Sequence, residues 1–281
     1  MTELRAGEPV RVAGRTVPVI RLLAPNAGPM TGPGTNTYLI GERELALVDP
    51  GPAEQAHIEA ILTAIGDRPL RWILVTHTHA DHSPAALPLA RATGAELIGL
   101  PAPEGGRHDR SFQPSGSFAH GDSLAGAEFT IELIHTPGHV SNHLCYLLQE
   151  EQLLFTGDHI LQGTTSVILP PDGDMTDYLR SLHELRAWQL ACLAPGHGQL
   201  ITDPEVAIEA LIAHRLRRED KIVRALGAGV EADLESLTLR VYDDVAPHLL
   251  PWARLTLEAH LIKLARESRA VQSPTGWKLL P

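Results

Sequence analysis

At 281 residues and 43% hydrophobic composition, the chain is long enough for one large domain, or one with a small second, and apolar enough for a proper core. The net charge of −11 argues against a broad basic footprint for nucleic acid, and no apolar run reaches the roughly 18 residues that span a membrane. The imbalance lies at the front: 12 basic and 25 acidic residues precede Arg215, and 11 basic and 9 acidic run from it to the end. Met1 to Glu8 has no apolar stretch of the kind an export signal needs, so a soluble, cytoplasmic protein is expected. Cys145 and Cys192 fall in apolar strand-like segments and read as buried thiols.

Taken in order, Pro9 to Ile40 reads as short strands around a Gly/Pro-rich loop, Pro25 to Gly34. Thr37–Ile40 and Leu45–Val48 form a hairpin whose second strand ends on Asp49-Pro50-Gly51. Asp49 suits either of two roles, holding a ligand histidine or stabilising a turn. A helix over 53–65 buries Ile58, Ile61, Leu62 and Ile65, which leaves His57 as an ordinary surface residue. The strand Trp72–Val75 then delivers Thr76-His77-Thr78-His79-Ala80-Asp81-His82, and Ser83-Pro84 reads as the cap and first residue of a helix ending before Gly94. A strand over 96–99 leads to a long polar loop, 101–116, in which His108 is expected to be solvated. The strand 129–134 delivers Thr136-Pro137-Gly138-His139, strands 143–148 and 153–155 lead to Gly157-Asp158, and a helix over 175–189 leads to the strand 191–193 and Pro195-Gly196-His197.

Strands therefore keep ending on a potential ligand, and a two-layered sheet core would gather such ends along one edge. The halves 38–99 and 129–193 are loosely duplicated in element order. From Asp203 the texture turns helical, with helices over 205–226, around 234–241 and over 251–266, the first stopped by Gly227-Ala228-Gly229. A hairpin through 270–271 and 277–279 completes a winged-helix arrangement. Thr256, His260, Lys263 and Glu267 share one face of the last helix; that mix is poor for reading DNA and fits a cleft wall or a dimer surface.

Three imidazoles and a carboxylate in six residues suit a zinc-like ion. A two-metal hydrolytic site needs about seven ligands with one bridging carboxylate. The chain supplies them: His77, His79 and His139 for one ion, Asp81, His82 and His197 for the other, with Asp158 between. His159, beside Asp158, either supports a ligand or faces substrate; His120 reads as a turn residue and Tyr178 as packing.

These seven positions resemble the metallo-β-lactamase fold superfamily, which carries His-x-His-x-Asp-His, a later His, a bridging Asp and a final His. The match covers about the first 215 residues and implies an α/β fold, an αββα sandwich over 1–214, with a small C-terminal winged-helix domain over 215–281. The chain is also similar to the β-lactamase-like protein 2 family, whose Gly-Asp and Gly-Thr-Thr stretches are matched by Gly157-Asp158 and Gly163-Thr164-Thr165. It departs from that family at Ser83-Pro84-Ala85, where Ser-Gly-Gly is common. True β-lactamases of this fold usually carry cysteine at the Asp158 position, and flavo-di-iron relatives carry Glu where His79 stands.

The resemblance implies a metal-dependent hydrolase with two zinc ions and a metal-bound hydroxide, Asp81 and Asp158 being the catalytic carboxylates; iron and manganese fit the same donors. The implied reaction is phosphodiester hydrolysis, as by an endoribonuclease. The alternatives are thioester or lactone hydrolysis of glyoxalase II type and, in another class, persulfide oxidation by a single iron. A regulator with a vestigial fold ranks last, because no ligand is missing. The expected substrate is a small molecule or single-stranded nucleic acid, with no membrane partner and with a homodimer as one allowed assembly.

Overall fold

A computed structural model describes residues 5–227 and 231–280, in two compact units. The first takes 5–136, 142–165 and 188–205; the second takes 137–141, 166–187, 206–227 and 231–280. Met1 to Leu4 lie outside the described residues, as do Ala228 and Gly229 of the expected glycine stop.

In the first unit the strands β1 (Val10–Ala13), β2 (Val19–Leu23), β3 (Asn36–Ile40), β4 (Leu45–Val48), β5 (Leu70–Leu74) and β6 (Glu96–Ile98) form one sheet in sequence order. The strands β7 (Ser123–Ala125), β8 (Thr130–His135), β9 (Leu144–Leu148), β10 (Leu153–Gly157) and β11 (Cys192–Pro195) form a second, in the order β11-β10-β9-β8-β7. Strand side chains alternate between faces, and the sequence uses both faces of the first sheet. Tyr38, Ile40, Ala46, Val48, Trp72 and Leu74 point inward and pack with Ile131, Leu133, Tyr146 and Phe155 of the second sheet. Leu39, Leu45, Leu47 and Ile73 point outward, under Ile58, Ile61 and Ile65 of α1 (Gln55–Ile65) and Leu89 of α2 (Ala86–Thr93). This double burial is why β4, Leu-Ala-Leu-Val, reads as a continuous apolar run. The hydroxyl of Tyr146, deep between the sheets, donates to the Val75 carbonyl at 2.7 Å, so its burial strands no polar group.

β4 and β5 are parallel, as are β10 and β11, while β3–β4 and β9–β10 are antiparallel. The loose duplication of the halves is thus a duplication of strand pairing. Parallel strands end on the same side, which brings Asp49 beside the turn after β5 and Asp158 beside His197. Two glycines keep that edge tight. A Cβ on Gly157, whose φ is 46°, would lie 2.5 Å from Thr76 Oγ1, and one on Gly196 would lie 2.7 Å from the His82 ring. Several elements differ from expectation. α2 starts at Ala86 without a side-chain cap, because Ser83 is instead used to hold Asp109 at 2.7 Å. β7, only three residues long, gives no pattern to read. Cys145 is buried but Cys192 only half-buried.

The second unit contains α3 (Met175–Leu185), capped by Asp174, which accepts from Thr176 and Asp177 amides at 2.8 and 3.0 Å. α4 (Pro204–Leu226) begins just before its last segment, followed by α5 (Leu234–Val241), α6 (Leu250–Arg266) and the antiparallel pair β12 (Ala270–Gln272) and β13 (Trp277–Leu279). Ile222, Leu226, Leu237, Val241, Leu257, Leu261 and Trp277 form its core. The polar face of α6 corrects the surface reading: Thr256, His260 and Lys263 are buried. His260 and Lys263 face α4, where the Glu219 carboxylate accepts from Lys263 at 2.8 Å and Arg269 at 2.7 Å, with His260 at 3.7 Å. Among the described residues no helix is long and apolar enough to cross a membrane.

Burial works to raise the Glu219 pKa, but His260, Lys263 and Arg269 outweigh it and hold the carboxyl down to about 2. A depressed carboxylate stabilises above its ordinary value of 4.5, and that contribution is lost as pH falls toward 2. Glu219→Gln should therefore cost roughly 3–5 kcal/mol at pH 7, the range for breaking a buried ion pair, and clearly less near pH 3. Urea denaturation of the full chain at both pH values, followed by helical circular dichroism, checks this; an equal deficit at both would refute it.

Candidate metal centre

The turn after β5 exists because Asp49 holds it. Asp49 follows β4 in a left-handed conformation, φ 49°, and its wholly buried carboxylate accepts three hydrogen bonds. The Thr76 amide donates to Oδ1 at 2.8 Å, and the Thr76 hydroxyl and His82 Nδ1 donate to Oδ2, both at 2.9 Å. Of the two roles open to Asp49, the structure thus shows it holding a histidine of the candidate ligand set. The Gly51 amide donates to the His82 carbonyl at 2.9 Å, which stitches the end of β4 to the turn.

These bonds also fix which ring nitrogen each histidine presents. His82 gives its Nδ1 proton to a carboxylate, so Nε2 is the ligand-type atom. The Thr76 hydroxyl has spent its proton on Asp49, so it accepts from His77 Nδ1 at 3.0 Å and leaves His77 Nε2 facing His79 Nδ1 at 2.9 Å. His197 donates through Nδ1 to the Gly34 carbonyl at 3.1 Å. His139 lies on the segment 137–141 that groups with the second unit, where its Nδ1 donates to the Val167 carbonyl at 2.6 Å.

Within the first unit two donor groups result, His77, His79 and Asp158, and Asp81, His82 and His197, each with its ligand-type atoms inside 4.8 Å of one another. Four distances test whether the second group, with Asp158, fits an ion. His82 Nε2 and His197 Nε2 lie 3.3 and 3.4 Å from Asp158 Oδ1, and 3.6 and 3.3 Å from Asp81 Oδ2. Tetrahedral zinc with bonds near 2.0–2.1 Å separates its ligands by about 3.3 Å. The buried His82 Nε2 makes no hydrogen bond despite these close oxygens, as expected of atoms arranged around a common point instead of toward each other. The residues fit a divalent cation.

The charges agree. Burial would lower the His82 pKa, yet Asp81, Asp158 and Asp49 raise it well above the usual histidine range. Burial likewise works against His197, and Asp158 and Asp81 raise it. Burial would raise Asp81, and His82 and His197 bring it below its ordinary value despite the nearby Asp158. The carboxylates thus demand positive charge at this point. Asp81 is the most open of the ligand-type acids here, its side chain 29% exposed against 13% for Asp158.

Three histidines, His57, His108 and His143, need a different account from the one the sequence suggests, and a fourth, His159, is assigned one of its two roles. His57 is not on the surface: it is buried, pushed down to about 4 by desolvation, and its Nε2 meets the Thr37 hydroxyl at 3.0 Å. That hydroxyl donates to the Asp49 carbonyl at 2.7 Å, so His57 braces the same acid from behind. His159 is wholly buried, 5.8 Å from the His143 ring, which favours the supporting reading over the substrate-facing one. His108 is not simply solvated, since its ring stacks on His79 at 5.3 Å. His143, expected only as the first residue of a strand, stacks on His77 at 5.2 Å, and its Nδ1 meets the Thr136 hydroxyl at 2.9 Å. A histidine opening an apolar strand was the only signal for it.

Residues 30–197 match the family model of the Metallo-beta-lactamase superfamily, and 234–277 that of the Beta-lactamase associated winged helix domain. An atrochrysone carboxyl ACP thioesterase of Aspergillus fumigatus is 32% identical over 271 residues, covering 89% of this chain and 82% of that protein. A beta-lactamase-like protein 2 homolog of Caenorhabditis elegans is 32% identical over 251 residues, covering 88% of this chain and 82% of that protein. The crystal structure of a metallo-beta-lactamase family protein from Thermus thermophilus shares the fold, with a TM-score of 0.77 at 23% identity over 93% of this chain and 98% of that one.

Asp49→Ala removes the acceptor for Thr76 and His82 together. Metal affinity should fall by roughly 10–100-fold, the usual effect of losing a carboxylate behind a ligand histidine. Zinc titration against a chromophoric chelator measures it, and unchanged affinity would refute the role of Asp49.

Proposed function

Since the chain belongs to the metallo-beta-lactamase superfamily, with a beta-lactamase-associated winged helix behind it, we propose that this metallo-hydrolase cleaves an acyl thioester. His77, His79 and His139 would hold one ion, Asp81, His82 and His197 a second, and Asp158 would bridge them. When bound, such ions make water acidic near neutral pH and act as Lewis acids toward a carbonyl oxygen. The overall step adds water oxygen to the acyl carbon, breaks the C–S bond, and yields a carboxylic acid and a thiol that takes the remaining proton.

The protein's own contribution is orientation. Thr76, Asp49, Gly34 and Val167 fix the four imidazoles whose Nδ1 is engaged, so that each presents Nε2 without reorganising. Gly157 and Gly196 let strand ends approach closer than any side chain would allow.

The observation that carries the choice of substrate is the charge of the chain around these residues. No lysine occurs before Lys221, so arginine is the first unit's one permanently cationic side chain, in a segment where acids outnumber bases two to one. Phosphodiester chemistry on RNA needs a run of backbone contacts, whereas a thioester needs none. The A. fumigatus relative's name supports the same reading.

Acyl-pantetheine thioesters and single-stranded RNA, offered side by side to metal-quantified protein, provide the test. The expected result is about two zinc ions per chain and release of free thiol, reduced at least about 100-fold in His77→Ala and Asp158→Ala with the fold retained. RNA cleavage without thiol release would replace the reading by phosphodiester hydrolysis, and one iron per chain would replace it by persulfide oxidation.

A further inference from the structure

His79 differs from the other histidines of the ligand set. They are fixed through Nδ1 by a hydroxyl, a carboxylate or a carbonyl, and present Nε2; His79 turns Nδ1 itself toward His77. Its ring face is covered by His108, whose ring lies nearly parallel to it, 18° between planes and 5.3 Å between centroids.

His108 is placed by side-chain and backbone bonds alike. Its Nδ1 meets the Thr78 hydroxyl at 3.0 Å, and that hydroxyl also accepts from the Asn142 amide at 2.9 Å. The next residue, Asp109, donates its amide to the Thr78 carbonyl at 2.7 Å. Its carboxylate accepts from the Ser83 hydroxyl at 2.7 Å through one oxygen, and from the Ser111 amide and hydroxyl at 2.8 and 2.6 Å through the other. Consecutive residues thus grip both ends of the turn 78–83, which carries His79, Asp81 and His82. The segment bearing them is anchored: Phe112 is wholly buried in the core under α1 and α2, and Ser115 pairs with Leu97 in both directions at 2.8 and 2.9 Å.

We propose that His108 and Asp109 are positioning residues for the metal turn, a clamp that holds His79 and its neighbours in ligand geometry and thereby sets the affinity for divalent ions. The proposal rests on the reading of His79, Asp81 and His82 as ligands. A preorganised turn binds an ion without first being ordered, and an unclamped one must be ordered at the moment of binding.

The full chain, stripped of metal, is titrated with zinc against a chromophoric chelator and with cobalt by visible absorption, as wild type, His108→Leu, His108→Phe, Asp109→Ala, Asp109→Asn and Ser83→Ala, with His79→Ala as control. Asp109→Ala and His108→Leu should weaken binding roughly 10–100-fold and alter the cobalt spectrum, while the metal-free melting temperature moves by only a few degrees. His108→Phe, which keeps a flat ring, and Asp109→Asn, which keeps an acceptor for Ser83, should recover most of the loss. Ser83→Ala combined with Asp109→Ala should weaken binding no more than Asp109→Ala alone, because the Ser83 bond is already lost with the carboxylate. Wild-type affinity in both clamp variants would overturn the clamp while leaving the ligands intact. Equal affinity of wild type and His79→Ala would instead remove the ligand reading, and the clamp with it.

Discussion

One buried carboxylate organises the centre. Asp49 accepts from the Thr76 amide, the Thr76 hydroxyl and His82, and its own carbonyl accepts from Thr37, which leans on His57. A buried carboxylate left with fewer donors would be costly, so each of these groups is required by the others. The consequence reaches beyond His82: because the Thr76 proton is committed to Asp49, the Thr76 oxygen can only accept, and this orients His77 as well. One acid thereby decides the presented nitrogen of a histidine in each donor group.

The sheets supply the other half of the constraint. Parallel pairs β4–β5 and β10–β11 must end on one side, and antiparallel partners must begin there. Donors far apart in sequence, Asp81 and His197 among them, come within 3.3 Å without any single element having to carry both. The core of the second unit is built from aliphatic residues around Trp277, with the Glu219 ion cluster between α4 and α6.

Much of this was legible in the sequence, for physical reasons that also explain the misses. The run from His77 to His82 is local, and strand periodicity is local, so both the donor types and most elements could be read directly. Burial of a polar residue is a tertiary fact. His57 on α1 and His260 on α6 look like ordinary polar positions of amphipathic helices; only Thr37, on a different strand, and Glu219, on a different helix, make them interior. Ser83 before Pro84 has the form of a helix cap, but Asp109, 26 residues later, competes for its hydroxyl and wins. The loop 101–116 has the composition of a solvated connection, yet Phe112 anchors it and His108 lies against His79. Composition describes what a loop can afford to expose, not what it touches.

The placement of lysines has a practical side. Of the three side-chain amines in the sequence, Lys263 is buried against Glu219, leaving half-buried Lys221 and exposed Lys278. Amine-directed dyes, crosslinkers or surface coupling would therefore find lysine side chains in the second unit alone, because the first unit contains none. A sensor or immobilised form of this protein could be made with natural residues, without first engineering lysines out of its catalytic half.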